Sequence, residues 1–340
     1  AGAAGQWVNP REAIQDAGLA RLQAGRKELT PLEREEIDKY GVTGLEAMTY
    51  LDDNKDPGGR DYEVVERLIQ LTFGKHLSVE EWINKKKYYF ADHQALLGRD
   101  GIRPGDVENK RIVVEIYPPA VRGMGVLVHR YLKDEDFPQA EDVWVWEPRL
   151  RRIRRYPEAR RDDNCFGTEM TWDDYSFREP WEEEHHILGT DRLNGRECLV
   201  IESRSRYPNY YLARRVTWVK KENFIDLHEE QFDREGKLFK VIDREWQQVR
   251  PWGYWARSLW SFLALKTDNR TIFQHYQYRF DNGFKDEEFS PEKMKEERIP
   301  PVKVLPLPRD PSDLPLHPLS SPCLPGPPED RSAGGLGGQR

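Results

Sequence analysis

The sequence predicts a mainly β protein, built on a highly curved antiparallel sheet or incomplete β-barrel with helices. Three observations predict this fold class. Between about residues 110 and 285, apolar residues recur with a period of two, and short turn sequences separate the alternating runs. No helical pattern of ten or more residues lies between these runs, which excludes the crossover helices of a parallel sheet. Roughly eight to ten such strands in one sheet must curl or close.

The strands are identified from runs in which every second residue is apolar or aromatic. These runs are Ile112–Tyr117, Met124–Tyr131, Val143–Trp146, Cys198–Ser203, Tyr210–Val219, Ile225–Phe232, Leu238–Val249 and Thr271–Phe280. Turn sequences such as Asn194-Gly195 and Glu235-Gly236 stand between them. Asn-Gly and similar pairs favour the tight turns of antiparallel hairpins, so the strands are expected to form a meander.

Residues 1–100 predict an α-helical N-terminal region that precedes the sheet. Thr30 stands before Pro31 and three residues before Glu33, a pattern typical of a capped helix start. Further helices are predicted from Pro10, over Tyr62–Leu71, and from Ser78 towards Leu97 on the spacing of their apolar residues.

The chain is expected to divide into three parts: residues 1–100, a β domain over 101–298, and a tail over 299–340. Residues 299–340 carry 11 of the 24 prolines, and proline cannot join a sheet ladder or a helix interior. The tail is therefore predicted to be an extended arm. Its several aliphatic residues predict that Ile299–Pro328 docks on a partner protein, so truncation after Lys295 is expected to leave the melting temperature unchanged.

Charge and composition limit the function classes. The formal net charge is −7 and the pI is about 5.8, whereas a nucleic-acid-binding domain usually carries a basic face. The run Arg149–Arg161 is basic but is followed by Asp162 and Asp163. It fits a solvated strand and turn, or contact with an anionic surface such as lipid headgroups.

The first five residues, Ala1-Gly2-Ala3-Ala4-Gly5, are typical of what remains after a signal peptide is removed. The expectation is an exported, periplasmic protein; a remnant of an expression tag is the alternative. Three cysteines are present, Cys165, Cys198 and Cys323. Cys165 and Cys198 either form a disulfide in an oxidising compartment or are two small apolar side chains on strands.

No pattern of catalytic chemistry stands out. The sequence has no Gly-rich phosphate loop, no nucleophile elbow and no His pair at metal-binding spacing on a helix. His185 and His186 are adjacent, so on a strand they point to opposite faces. The sequence therefore predicts a protein that is not an enzyme, with no catalytic residues, no metal and no cofactor.

Aromatic content is the unusual feature, since the chain has 11 Trp. Tryptophan either packs in a core or lines a cavity for an apolar ligand. On the strand Tyr210–Val219, the bulkier alternating set is predicted to face inward, with Arg214 paired to a carboxylate or a lipid headgroup because a buried unpaired charge is costly. The predicted groove-lining residues are Trp144, Trp146, Tyr210, Leu212, Arg214, Val216 and Trp218.

An ordered series of motifs over roughly residues 110–295 resembles the LolA/LolB-like superfamily, specifically the outer-membrane lipoprotein-sorting proteins. The motifs are Asp142–Pro148 with Arg149–Arg155, Phe166–Asp174, Gly195–Ile201, Tyr210–Lys220, Glu230–Lys240 and Phe284–Met294. Each motif alone is weak, and their order and spacing carry the resemblance. The chain departs from the family pattern at Glu169-Met170, where Asp-Phe is usual.

The resemblance implies an incomplete β-barrel whose concave face is closed by helices, and a carrier of acyl chains. We therefore expect a periplasmic, non-catalytic protein that binds a lipid or another hydrophobic ligand, and no nucleic acid. The alternative is a structural subunit of an envelope assembly that uses the barrel as a scaffold. Envelope protein partners would then bind through residues 1–98 and 299–328. Co-purified lipid separates the two hypotheses.

Overall fold

The fold is described from a computed structural model, over residues 29–55, 61–89, 105–132, 141–156, 161–176, 178–295, 306–309 and residue 314. Thirteen antiparallel strands form one sheet, in the order β6-β5-β4-β3-β2-β1-β13-β12-β11-β10-β9-β8-β7. The strands are β1 Tyr62–Thr72, β2 His76–Tyr88, β3 Val107–Tyr117, β4 Gly125–Tyr131, β5 Glu141–Glu147, β6 Arg152–Tyr156, β7 Glu183–Leu193, β8 Arg196–Ser205, β9 Arg214–Lys220, β10 Asp226–Phe232, β11 Leu238–Val249, β12 Tyr254–Ala264 and β13 Asn269–Phe280.

Two meanders build this sheet. β1 to β6 form the first meander and β7 to β13 the second, and the pairing of β1 with β13 joins them. The sheet is open, since β6 and β7 are its two edges. Local turn chemistry sets the hairpins: Asn194 and Gly195, for example, both have positive φ, as the tight turn between β7 and β8 requires.

The sheet curls strongly around one short segment. Tyr175 lies under Arg111 of β3, with the guanidinium carbon 3.9 Å from the ring centroid. The neighbouring Asp174 accepts a 2.8 Å hydrogen bond from Gln231 of β10. β3 and β10 are six places apart in the sheet, about 29 Å in a flat sheet at the usual strand spacing. Two adjacent residues reach both strands only because the sheet is curved, so the predicted incomplete barrel is confirmed.

Four α-helices accompany the sheet in the described ranges: α1 Pro31–Tyr40, α2 Gly44–Lys55, α3 Trp172–Ser176 and α4 Pro291–Met294. The predicted start of α1 is confirmed, because Thr30 and Glu33 form a reciprocal capping box. None of the described helices is long and apolar enough to cross a membrane. The helix predicted from Pro10 lies outside the described residues.

α2 packs against the second meander on a close backbone approach. A Cβ on Gly44 would lie 2.8 Å from the His185 carbonyl carbon, so only glycine fits there. Glu36 of α1 is buried and ties the helices to the sheet, since its carboxylate accepts hydrogen bonds from the backbone N–H groups of Gly44 and Ile187. Ala47, Met48 and Leu51 of α2 pack into one apolar cluster with residues of β7, β8 and β9.

Two predicted helices are wrong. The residues predicted as helices over Tyr62–Leu71 and from Ser78 form the long strands β1 and β2, which pair with each other. Eight consecutive residues of β1 are buried, because both faces of this central strand are covered. A strand covered on both faces loses the period-two alternation that would identify it. The predicted domain boundary at residue 100 therefore falls between β2 and β3, two paired strands of one sheet.

The segment after β13 covers the face of the sheet opposite Asp174 and Tyr175. Phe289 and Met294 pack on Ile112, Val114 and Leu127. Within the described part of the proline-rich arm, the Pro306 carbonyl accepts a 2.9 Å hydrogen bond from Arg67.

Further along the arm, Leu314 is 7% exposed and packs in one cluster with Ile69, Leu259 and Ile272. These arm residues dock on the chain's own sheet, which differs from the predicted docking on a partner. The arm is therefore expected to contribute to the stability of the fold.

Candidate functional site

The concave face of the sheet surrounds a segment of the chain that we call the inner segment (residues 161–176 and 178–182). It connects the edge strands β6 and β7. A short 3-10 turn, Cys165–Gly167, and the helix α3 shape it. Thr171 starts α3 with a reciprocal cap, because its hydroxyl accepts from the Asp174 N–H and its own N–H donates to the Asp174 carboxylate.

One half of the concave face is apolar. Three side chains of the inner segment, Cys165, Met170 and Tyr175, are buried there in a single cluster with both meanders. The wall residues of this cluster are Leu68, Trp82, Val113, Val126, Val128, Val143, Ile242, Trp260, Phe262 and Phe273. The inner segment therefore fills the apolar space between these strands.

The other half, formed by β7 to β11, is lined by buried ion pairs. Asp174 accepts a 2.8 Å hydrogen bond from Lys240 of β11. Arg178 pairs with Asp173 and lies 3.4 Å from a Glu183 oxygen of β7. Arg215 of β9 bonds Glu183 and reaches Glu229 of β10 at 3.3 Å. All of these groups are buried, so the inner segment is fixed to the sheet by charge pairing.

The pairing changes the acidity of the carboxyl groups. Burial alone would raise the pKa of Glu229, but Arg215, Arg244 and Arg178 outweigh it and lower the pKa to about 2. Burial is likewise outweighed at Asp174 by Lys240 and Arg178, and at Glu183 by Arg215 and Arg178, so both pKa values lie below their usual range. These carboxylates are charged in the folded protein at neutral pH, and each is paired with a lysine or arginine side chain.

A carboxyl group on β3 behaves in the opposite way. Glu115 lies in register with Trp82 of β2 and is 7% exposed. Burial, and then the nearby charge of Glu80, raise the pKa of Glu115 to about 9. Glu115 is therefore protonated at neutral pH, and it faces the concave side together with Trp82.

The predicted groove-lining residues are not brought together. Trp144 and Trp146 pack under Phe289 and Met294 on the convex face. The Tyr210 ring lies beside the inner segment, 5.4 Å from the Arg161 guanidinium carbon. Leu212 is buried. The remaining three residues, Arg214, Val216 and Trp218, belong to β9.

The predicted facing of β9 is wrong. Thr217 pairs in register with Glu229, which pairs with Ile242 of the concave cluster. Thr217 therefore faces inward, and its neighbours Val216 and Trp218 face the convex side, where they pack with Trp246. Both faces of β9 are buried, so hydrophobicity did not distinguish them.

The partner predicted for Arg214 exists, although on the convex side. Its guanidinium donates to Glu202 at 3.1 Å and lies 3.8 Å from the centre of the Phe232 ring.

Cys165 and Cys198 are free thiols. Cys165 lies in the concave apolar cluster and Cys198 in the convex cluster of Trp218, so the sheet separates them. Of the two alternatives that the sequence left open, two small buried side chains are the observed one, although Cys198 lies on a strand and Cys165 lies in the 3-10 turn Cys165–Gly167. Burial raises the pKa of Cys198 to about 11 and the pKa of Cys165 well above its usual value.

The sequence pattern did not indicate the ionic half of the concave face. Its members are spread over the chain: Asp173, Asp174, Arg178, Glu183, Arg215, Glu229 and Lys240. One signal was available, since Arg215, Glu229 and Lys240 are charged residues on strands that the alternating pattern predicted. Within the described ranges, no group of three or more His, Cys, Asp or Glu residues could hold a metal ion.

A family model described as "Uncharacterized protein" matches residues 107–296, more than half of the chain. The chain belongs to this family. No curated protein matches the sequence.

Solved structures match the fold more widely. A domain assigned to the outer membrane lipoprotein-sorting proteins of Vibrio parahaemolyticus is 22% identical, with 74% of this chain and 98% of that chain covered at a TM-score of 0.60. A DUF1329 family protein from Desulfovibrio piger is 18% identical, with 74% and 97% covered and a TM-score of 0.61.

A LolA superfamily protein from Nitrosomonas europaea is 13% identical, with 74% and 99% covered and a TM-score of 0.51. At these identities the likeness concerns the fold. The resemblance to the LolA/LolB-like superfamily is confirmed at that level.

Proposed function

We propose that this protein is a non-catalytic binding protein of the bacterial cell envelope, which holds an apolar ligand such as an acyl chain in the apolar half of its concave face. One observation carries the proposal: Cys165, Met170 and Tyr175 of the inner segment fill an apolar space between the two meanders. A ligand would replace Cys165 and Met170 against the same strands, while Tyr175 stays in place next to the ion-paired Asp174.

Burial of an acyl chain can compensate for the free energy lost when Met170 leaves the apolar cluster. Each methylene that an acyl chain buries contributes about 0.8 kcal/mol, so a few methylenes offset the removal of Met170 from the cluster. The part of the inner segment that carries Cys165 and Met170 lies between two anchors. Arg161 holds one end through Asp173 and Glu182, and Thr171 holds the other through Asp174. Residues between the anchors could move while the ionic half stays in place.

A periplasmic location is part of the proposal. The shared fold with an outer membrane lipoprotein-sorting domain supports it. The absence of any recognisable catalytic pattern in the sequence supports binding rather than catalysis.

A fluorescent fatty acid tests the proposal. Met170→Ala should bind the probe roughly tenfold more tightly than the parent, because the variant no longer buries a competing side chain. Trp218→Ala is the matched control, since it shortens an equally buried side chain on the convex face. Its affinity for the probe should equal that of the parent. Native mass spectrometry of the purified parent should show bound lipid.

A scaffold for envelope proteins is the second candidate, and the ionic half favours it. The charge pairs of Asp173, Asp174 and Arg178 fix the inner segment rigidly, as a permanent core would require. If neither the parent nor Met170→Ala binds the probe while both keep their circular dichroism spectrum, the carrier proposal is wrong and the scaffold remains.

A further inference from the structure

All six connections at one end of the sheet are described, and they form what we call the turn rim (residues 73–75, 118–124, 148–151, 206–213, 233–237 and 265–268). Because the strands alternate in direction, these turns share one end. Two of them touch: the Gly74 N–H donates to the Asp268 carbonyl at 3.1 Å, and the Phe73 N–H donates to the Asn269 side chain at 2.9 Å.

Large apolar side chains stand exposed on this rim. Phe73 is 63% exposed, Leu150 58%, Leu265 42% and Tyr207 41%. They account for half of the exposed large apolar residues in the described part of the chain. At the opposite end, the described hairpin connections 194–195, 221–225 and 250–253 expose none. The apolar tips are therefore a property of one end of the barrel.

Phe73 occupies a backbone conformation that its side chain disfavours. Its φ is +51°, in the left-handed region where glycine and asparagine are common and a bulky residue is a true outlier. A turn selected for stability alone would carry Asn or Gly at this position. An exposed phenylalanine in a strained turn indicates a functional role for the side chain.

The charges of the rim differ from those of the whole chain. Its six connections carry eight Lys or Arg residues and three Asp or Glu residues, whereas the chain has a net charge of −7. The eight cationic residues are Lys75, Arg122, Arg149, Arg151, Arg206, Arg234, Lys237 and Lys266, and all are exposed. Apolar tips flanked by cations match the chemistry of a surface with an apolar interior and anionic headgroups.

We propose that the turn rim docks this protein on an anionic lipid bilayer, with Phe73, Leu150 and Leu265 inserted among the headgroups and the cations on the phosphates. Aromatic and aliphatic tips gain free energy by leaving water, and cations near an anionic leaflet are attracted to it within a Debye length. Docking through the turn rim does not require a ligand in the concave face, so its test is independent of the test of the proposed function.

Sedimentation with vesicles tests the rim. The full chain should bind vesicles of equal parts phosphatidylglycerol and phosphatidylcholine. The triple variant Phe73→Ser, Leu150→Ser, Leu265→Ser should bind at least roughly tenfold more weakly, the factor expected for loss of inserted apolar surface. Leu32→Ser with Leu188→Ser is the matched control, since both residues are exposed, at 43% and 50%, but lie on α1 and β7 away from the rim. The control should bind like the parent.

Phe73→Asn separates function from folding. Asparagine tolerates a positive φ, so this variant should be at least as stable as the parent in urea unfolding while it binds the vesicles more weakly. A purely structural role for Phe73 would leave vesicle binding unchanged. That result would overturn the insertion of this tip.

The charges are tested by Arg149→Glu with Arg151→Glu and by vesicles of phosphatidylcholine alone. Both changes should weaken binding, and added salt should weaken the binding of the parent. Equal binding to charged and uncharged vesicles would overturn the anionic partner. The proposal is overturned if the triple tip variant binds vesicles as well as the parent does, or if the parent does not bind them.

Discussion

The two halves of the concave face hold the same inner segment by different forces. In the half formed by β7 to β11, Asp173, Asp174 and Arg178 meet buried charges of the sheet. In the apolar half, the side chains of Cys165 and Met170 pack on apolar residues of the sheet. Charge pairs demand one geometry, because a displaced partner leaves a buried charge behind. Apolar contacts can be exchanged for others of similar volume.

One short segment can therefore be fixed at one end by ion pairs and displaceable at the other end, where it makes apolar contacts. The ionic half determines the position of the inner segment. The apolar half offers a surface on which the segment and a ligand can compete. Removing a charge and removing an apolar group should therefore have very different consequences.

The largest effect is expected from Arg178→Met. Arg178 is buried and pairs with Asp173, Glu183 and Glu229. Removing its charge leaves these carboxylates undercompensated in the interior, so the free energy of unfolding should fall by roughly 3–5 kcal/mol. Urea denaturation of the variant and the parent measures this difference in the free energy of unfolding.

Arg204→Met is the control for that change. Arg204 makes a comparable ion pair with Glu202, but its side chain is 57% exposed, so the loss should stay below about 1 kcal/mol. Equal losses for the two variants would show that the ionic half does not fix the segment.

The next effect is a loss of stability in acid, which belongs to the ionic half. The pKa values of Glu229, Asp174 and Glu183 are lowered in the folded state. A lowered pKa contributes stability above the unfolded value, and this stability is lost as the pH falls from about 4.5 towards about 2. Each group should remove about 1.4 kcal/mol per pH unit within its window. Stability that stays flat down to about pH 3 would contradict the charge pairing.

His185 adds to the same trend at higher pH. Burial lowers the pKa of His185 to about 4, so its neutral form is favoured in the folded protein. The corresponding stability is lost as the pH falls from about 6.5 towards about 4.

The apolar half should respond in the opposite direction, through Glu115. Its folded pKa is raised to about 9, so the folded state holds a proton that the unfolded state releases. The associated stability is lost as the pH rises from about 4.5 to about 9. Glu115→Gln should therefore match the parent near pH 4 and exceed it by roughly 2 kcal/mol or more near pH 8. An unchanged pH profile of stability would refute the burial of a protonated carboxyl.

Sequence alone predicted the features that local chemistry determines. The Thr30–Glu33 capping box, the Asn194-Gly195 turn and five strands of the second meander, β8 to β11 and β13, all follow from residues close in the chain. The strands β7 and β12 were not among the predicted runs. The curved open sheet followed from the number of strands in a meander.

Features that depend on distant residues were not predicted. Arg215 is buried on β9 only because Glu183, 32 residues away, and Glu229, 14 residues away, neutralise it. Thr217 and Trp218 are both buried although they face opposite sides, so the pattern could not say which side is concave. The strand β1, with eight consecutive buried residues, was predicted as a helix for the same reason.

A smaller effect, independent of pH, is expected on the convex face. Leu314→Ala removes apolar contacts with Ile69, Leu259 and Ile272 and should lower the free energy of unfolding by roughly 2 kcal/mol at every pH tested. Leu307→Ala is the control, because Leu307 is 36% exposed. Truncation after Lys295 should destabilise at least as much as Leu314→Ala. A truncated protein as stable as the parent would return the arm to its predicted role on a partner.

The smallest perturbation is alkylation of the two buried thiols, and it reports directly on the inner segment. Cys165 and Cys198 are both 0% exposed, and burial raises the pKa of each, so iodoacetamide should modify both slowly in the folded protein.

If an apolar ligand displaces the part of the inner segment between Arg161 and Thr171, a fatty acid should accelerate the modification of Cys165 at least severalfold. Cys198, on the other side of the sheet, should keep its rate and serves as the internal control. Peptide mass spectrometry assigns the modified residue. Equal acceleration at both thiols would mean that the fatty acid unfolds the protein, and no acceleration at Cys165 would mean that the apolar half is as fixed as the ionic one.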